Sequence, residues 1–262
     1  MTRAVETSRA TVIGAAPEGA SDPHSAARAV REMFTSIAPR YDLLNHVLSC
    51  NIDRLWWRRT ARTFAHILAQ PGCRVLDLCC GTGDMTFALA KQAGQQEGRQ
   101  SPQILGADFS HAMLQRALSK SQSQGNDTAP RWIEADALSL PFSHQHFNLV
   151  TSAFGFRNLA DYDAGLREIV RVLKPGGECG ILDFGEPKGL MGRLYRIYFR
   201  QVLPRVGTLI SGVRGPYAYL PNSVERFPEP EEMLDRMRRA GFREATWTPY
   251  TLGIAGLYRG RK

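Results

Sequence analysis

Apolar residues recur along this chain with two periods, and the switches between them lay out an architecture. Short apolar runs at 73–78, 103–108, 131–135, 147–153 and 178–183 have the length of buried strands. Stretches 84–93, 110–120 and 161–173 carry helical patterns between them. In 161–173, Asp161 is placed to cap, Leu166, Ile169, Val170 and Leu173 make an apolar stripe, and Lys174-Pro175-Gly176-Gly177 reads as the stop. A last helix is expected at about 230–240. Pro230 opens it, Glu231 and Glu232 follow, Arg236, Arg238 and Arg239 lie near its end, and Gly241 comes after. Two strands at about 243–249 and 252–259 would close the sheet as a hairpin. Strands alternating with helices predict an α/β fold with a doubly wound, mostly parallel sheet. Upstream, Val30, Met33, Phe34 and Ile37 fall at i, i+3, i+4 and i+7, an amphipathic helix stopped by Pro39. A second helix, from about Asp53 to Leu68, carries Trp56, Trp57, Arg58 and Arg59.

Two segments depart from this alternation. Residues 1–27 are rich in Ala, Ser, Thr and Gly without an apolar run, which predicts a disordered tail and no secretory signal. Residues 187–224 interrupt the fold before the last helix, as a basic, aromatic insert. Lys188, Arg193, Arg196, Arg200, Arg205 and Arg214 stand there, and Leu190, Leu194, Ile197, Tyr198 and Val202 could share one helical face. That combination suits either a membrane-surface helix or a lid packed on the core. The remainder, 28–262, reads as one domain, with 28–70 as a helical cap. The five cysteines are odd in number and without metal-ligand spacing, which points to a reduced, cytoplasmic protein with no metal site. No apolar run approaches the ~20 residues of a membrane span. The net charge of +8 suits an anionic partner, nucleic acid or membrane surface.

Candidate chemistry concentrates at strand ends. Asp77 closes into Cys79-Cys80-Gly81-Thr82-Gly83-Asp84, a strand, a glycine turn and a helix start. Asp108 ends the next strand, where open α/β sheets hold a ribose with free hydroxyls. The G-x-G-x-x-G spacing of a dinucleotide site is absent. This arrangement resembles the S-adenosylmethionine (SAM) site of a class I methyltransferase, with its Rossmann-like sheet and one antiparallel strand near the C-terminus. The resemblance implies that Asp77 meets the cofactor ammonium, Gly81, Thr82 and Gly83 cradle its methionine part, and Asp108 accepts from its ribose. Asp136 and Ala137, after the third strand, would meet the adenine.

Phe154-Gly155-Phe156-Arg157-Asn158 follows the fourth strand, on the ligand face. Arg157 and Asn158 there suit an aromatic ring bearing oxygens; the alternative for Arg157 is a structural carboxylate partner. With Tyr41-Asp42-Leu43-Leu44-Asn45-His46-Val47-Leu48-Ser49, Arg54-Leu55-Trp56, Arg171–Gly177, Tyr217-Ala218-Tyr219-Leu220, Ser223 and Phe227-Pro228, this block resembles the ubiquinone/menaquinone-biosynthesis C-methyltransferase family. The likeness runs from about Val30 to the C-terminus. The chain departs from the family's usual pattern at Asn51 and Asp53 (Gly and His), Asp183-Phe184-Gly185 (Glu-Phe-Ser) and Ala153 (Ser).

The resemblance implies methyl transfer to a ring carbon of a membrane-embedded prenylated quinol. Demethylmenaquinol is favoured by the Cys79-Cys80-Gly81 form of the turn; a ubiquinone precursor, or both rings, is the alternative. Arg157 is expected to stabilise a phenolate, Asn158 to orient the ring oxygen and Tyr41 to close over the site. A long isoprenoid tail implies reversible docking on the inner face of the cytoplasmic membrane, for which the 187–224 insert is suited. A homodimer is compatible with the sequence. Two readings of other classes are an RNA methyltransferase and a non-catalytic SAM-binding protein. Against the first, flipped-base motifs and an RNA-binding appendage are missing. Against the second, the turn, its acids and Arg157-Asn158 are all intact.

Overall fold

The computed structural model describes residues 22–38, 51–94, 101–123, 130–187 and 216–262, with positions 14, 15, 17, 20, 189 and 192 besides. Tyr41 and most of the basic insert lie outside the described residues.

The expected alternation is present. The strands are β1 (Arg74–Leu78), β2 (Gln103–Asp108), β3 (Arg131–Glu134), β4 (Phe147–Ala153), β5 (Leu173–Phe184), β6 (Glu244–Tyr250) and β7 (Ala255–Arg261). They form one sheet in the order β3-β2-β1-β4-β5-β7-β6. The first five run parallel, and β7 enters antiparallel between β5 and β6. The helices are α1 (Pro23–Ile37), α2 (Ile52–Thr63), α3 (Ala65–Leu68), α4 (Asp84–Ala93), α5 (His111–Ser123), α6 (Tyr162–Val172), α7 (Pro216–Arg226) and α8 (Pro230–Ala240). Short 3₁₀ turns occupy Phe156–Asn158 and Thr251–Gly253.

Strand periodicity divides the core into two layers. Leu76 and Leu78 of β1 join Leu166 and Ile169 of α6 and Met233 and Met237 of α8 on one face. Val75 and Leu149 join Trp56 and Trp57 of α2 and Leu89 of α4 on the other. Asp77 shares the parity of Val75 and so points toward the α2–α4 layer.

Local chemistry explains the boundaries. The Asp161 carboxylate accepts from the Ala164 amide at 2.9 Å and caps α6 as expected. Gly241 ends α8 at φ 114°, a conformation suited to glycine. Three boundaries differ from the sequence reading. The Lys174–Gly177 stretch does not follow a helix that reaches Leu173; β5 itself starts at Leu173. The last strand begins at Ala255 rather than 252, because Thr251–Gly253 forms the connecting turn. At the N-terminus, α1 starts at Pro23 rather than within an unstructured 1–27, since Asp22 and Ser25 form a reciprocal capping box. Upstream of it, the Ala15 amide donates to the Leu159 carbonyl at 2.8 Å.

Two departures from the family pattern have a backbone reason. Asn51 stands at φ 60°, a left-handed position that asparagine tolerates best after glycine. Gly185 passes so close to the Gly253 carbonyl that a Cβ would sit 2.9 Å from its oxygen, which leaves little room for serine.

Candidate functional site

The sheet order reverses between β1 and β4, and open α/β sheets bind ligands outside the strand ends at that point. Both loops leaving it begin with a left-handed non-glycine residue, Cys79 at φ 54° and Phe154 at φ 58°. Such backbone costs roughly 1–3 kcal/mol and concentrates at functional sites. The loops touch at Gly155, where a Cβ would come within 2.4 Å of the Cys79 Cβ. Glycine there lets the two strand ends converge around one cleft.

That cleft measures about 1010 Å³, counted with the solvent at its mouth. Its floor holds Asp77, Gly81, Thr82, Asp108, Asp136 and Ala137. Six of the seven cofactor residues expected from the sequence are thus brought together. The seventh, Gly83, is not among the lining residues. Its close approach is to the Trp132 ring, 2.5 Å from where a Cβ would stand, and its φ is 90°. The second turn glycine therefore serves helix entry and packing.

Each acid has a defined setting. Asp77 is fully buried and accepts from Thr86 at 2.5 Å and from Thr151 at 2.8 Å. Burial pushes its pKa up to about 7, against the two hydroxyl bonds that lower it. Asp108 accepts from the Gly81 amide at 2.8 Å and the Ser110 amide at 2.9 Å. Burial raises its pKa to about 6, and the backbone donors restrain the rise. Asp136 accepts from the Leu138 amide at 2.9 Å, which fixes the 136–139 turn. Thr82 accepts from Lys120 at 2.9 Å, and Lys120 also pairs with Asp84 at 3.1 Å. The turn is thereby pinned to α5.

These residues fit SAM. Two buried carboxylates with raised pKa gain from a cationic ammonium and from hydroxyl donors, which offset their desolvation. Gly81, at φ 55°, leaves the backbone open at the turn. The cleft wall is apolar, from Phe34 of α1, Trp57 of α2, Leu78, Met85, Met113, Phe154 and Leu159. Among the described residues, no group of His, Cys, Asp and Glu is arranged to hold a metal ion.

The residues expected to act on the substrate separate. Asn158 lines the cleft, and its Oδ1 accepts from the Tyr219 hydroxyl of α7 at 3.2 Å. Arg157 is 5% exposed and is not in the lining. Its Nη1 donates to Asp183 at 2.8 Å and to the Phe154 carbonyl, and its amide donates to Asp183 at 3.1 Å. The guanidinium lies 5.1 Å over the Phe184 ring. The structural carboxylate weighed as the alternative from the sequence is therefore present, and it is Asp183. Tyr41 lies outside the described residues.

Sequence reasoning missed several supports: Thr86 and Thr151 around Asp77, Lys120 behind Thr82, Tyr219 behind Asn158, and the α1 and α2 residues Ala27, Phe34 and Trp57 in the wall. Thr151 had a signal, because it pairs with Asp77 in the parallel register of β1 and β4. The long-range contacts of α1 and α7 had none.

Comparison with known proteins agrees with this geometry. Residues 23–262 match the model of the ubiE/COQ5 methyltransferase family. The demethylmenaquinone methyltransferase of Deinococcus radiodurans is 48% identical over 92% of this chain and 95% of its own length. That of Thermus thermophilus is 47% identical over 87% of this chain and 99% of its own. A SAM-dependent methyltransferase structure from Aquifex aeolicus shares the fold, with a TM-score of 0.55 at 17% identity over 77% of this chain and 88% of that one.

Proposed function

The chain belongs to the ubiE/COQ5 methyltransferase family, and from that premise we propose that it methylates a ring carbon of demethylmenaquinol to give menaquinol. It is a SAM-dependent C-methyltransferase of quinone biosynthesis. The observation that carries the menaquinone reading is the near-half identity to two demethylmenaquinone methyltransferases, over nearly their whole length.

SAM, when bound, supplies an electrophilic methyl group. The chain's own residues do the rest. Asp77 receives the ammonium end, and Asp108 the ribose hydroxyls. Asp136 and Ala137 flank the adenine, while the Gly81-Thr82 backbone approaches the methionine part. Asn158, held by Tyr219, donates its amide to a ring oxygen and sets the ring edge toward the methyl donor. Arg157 positions this loop through Asp183 and the Phe154 carbonyl. Its charge also favours a phenolate at the ring without accepting the proton itself. Tyr41 completes the closure. Apolar walls from Phe34, Trp57 and Phe154 exclude water and suit a naphthoquinol ring.

A prenylated substrate requires the enzyme to work at a bilayer. No helix among the described residues is long and apolar enough to cross a membrane. We read the protein as acting from the cytoplasmic surface, with the basic insert at 187–224 adding electrostatic attraction.

The test is methyl transfer from labelled SAM to short-tailed demethylmenaquinol and to the matching ubiquinone precursor, both in liposomes, with mass spectrometry of the products. Label on the naphthoquinol ring alone is the expected result. Label on both rings widens the substrate range. Label on neither, with SAM binding intact, overturns the substrate assignment.

A further inference from the structure

Two large apolar side chains stand in water at one edge of the molecule, and the backbone is strained to keep one of them there. Leu252 is 74% exposed and Leu55 60% exposed. Leu252 sits at φ 58° and its neighbour Thr251 at φ 46°, two successive left-handed residues without a glycine at either position. Side chains pay for that conformation in steric energy, and Gly253 directly after them could not relieve it. The turn is fastened to α2, since the Trp56 indole donates to the Thr251 hydroxyl at 2.8 Å. Leu55 and Leu252 are thus the immediate chain neighbours of a hydrogen-bonded pair.

Charge surrounds this apolar edge. The exposed positions of α2 are Arg54, Leu55, Arg58, Arg59 and Arg62. The helix's one acid, Asp53, is buried. No ion pair of these four arginines occurs among the described residues. Arg59 instead stacks 4.1 Å over the Tyr250 ring at the base of the same turn. A face of unneutralised arginines around projecting leucines has the complementarity of an anionic bilayer, which offers phosphates at the surface and hydrocarbon beneath. The same edge connects inward through aromatic rings. Trp56 packs on Phe154 at 5.8 Å and on Phe184 at 6.2 Å, and Phe154 and Trp57 line the cleft.

We propose that the outer face of α2 and the Thr251–Gly253 turn form the docking surface for an anionic lipid bilayer, with Leu55 and Leu252 as insertion points and the Trp56-Phe154-Phe184 rings as the apolar route from bilayer to cleft. The direction of that route rests on the prenylated-quinol reading; the docking surface does not. It is distinct from the 187–224 insert.

The test measures binding of the full chain to vesicles of phosphatidylglycerol with phosphatidylcholine, and to phosphatidylcholine alone. Leu252→Gly is the decisive variant, because glycine relieves the left-handed strain while removing the apolar tip. Combined with Leu55→Ser, it should weaken binding to the anionic vesicles by roughly tenfold or more, with SAM affinity intact and thermal stability unchanged or raised. Arg58→Glu with Arg62→Glu should cause a similar loss, and added salt should mimic it. Anionic-vesicle binding equal to wild type in both variant pairs overturns the proposal. So does a face that joins two copies of this chain: there the variants would change the oligomeric state but not vesicle binding. Lost vesicle binding with no quinol methylated even by the wild type would retain the docking surface and defeat the substrate reading. Full turnover of vesicle-embedded, long-tailed quinol by the variants would do the reverse.

Discussion

Replacing Arg157 by Met separates two ways in which this residue could matter. Arg157 is 5% and Asp183 0% exposed, and their bond is 2.8 Å. Removing the cation leaves Asp183 buried with only the Arg157 and Phe184 amides as donors. Stranding one member of a buried pair costs about 3–5 kcal/mol. In a chain of this size that corresponds to a fall in Tm of roughly 6–20 °C. The loop at 154–158 also loses the tie to the Phe154 carbonyl, so Asn158 should drift and kcat should fall. The companion variant Asp183→Asn, alone and with Arg157→Met, closes a double-mutant cycle. The double variant leaves no buried charge at this point, so much of the lost stability should return, with a coupling of about 2 kcal/mol or more. Thermal unfolding gives the stabilities, and labelled-methyl transfer at saturating SAM gives kcat. If Arg157 acts by position, kcat in the double variant recovers along with Tm. A coupling under about 0.5 kcal/mol, with kcat abolished at unchanged Tm, would refute that reasoning and assign the guanidinium directly to the phenolate.

Other perturbations follow from the same geometry. Asp77 and Asp108 must be ionised to receive the cofactor, and their pKa values are raised to about 7 and about 6. SAM affinity measured by calorimetry should therefore fall as pH drops through 7, by up to about tenfold per unit for each protonating group. Without cofactor the sign reverses: a carboxylate raised by folding is relieved by protonation, so thermal stability should gain as pH falls from 7 toward 4. Affinity that is flat between pH 8 and 5 would contradict both statements. Tyr219→Phe removes the donor that orients Asn158, and burial keeps that phenol protonated with a pKa pushed up to about 12. Its kcat should fall roughly five- to tenfold with SAM affinity unchanged, equivalent to the ~1 kcal/mol of one hydrogen bond. Equal losses in both would make Tyr219 a packing residue only. Gly83→Ala should destabilise by more than about 1 kcal/mol in denaturant titration, because φ is 90° and the Trp132 ring stands 2.5 Å from the new Cβ.

What could be read from the sequence was what short-range chemistry dictates. The alternation of strands and helices, the Asp161 cap, the Gly241 stop and the hairpin of β6 and β7 all follow from periods and caps that act over a few residues. The β1 turn was legible because an acid, a glycine turn and a second acid at the next strand end must converge once the sheet is parallel. The Lys174–Gly177 stretch misleads, because Pro and Gly end helices but also open strands, and Leu173 already pairs with Phe147 of β4. The partner of Arg157 was beyond local reasoning. Asp183 is 26 residues away, and only the pairing of β4 with β5 brings it under the 154–158 loop.

That pairing also explains why the reactive face is built as it is. The Phe154 amide donates to the Leu182 carbonyl at 2.8 Å, so the chain is held to β5 until the last residue before the loop turns. The next acid on β5, Asp183, then captures both the amide and the guanidinium of Arg157. Asn158 follows one residue later, facing the cleft, and Tyr219 reaches it from α7. Asn158 is thus fixed from two elements 61 residues apart in the chain. A group so placed can orient a ring oxygen with little entropy left to lose on binding, which is the condition for productive alignment with the methyl donor. The strain at Cys79 and Phe154 is the cost of bringing both loops to the same point. Relief of that strain by Phe154→Gly should accordingly stabilise the backbone at this turn while lowering kcat, since it would free the loop that Asp183 and Tyr219 hold in place.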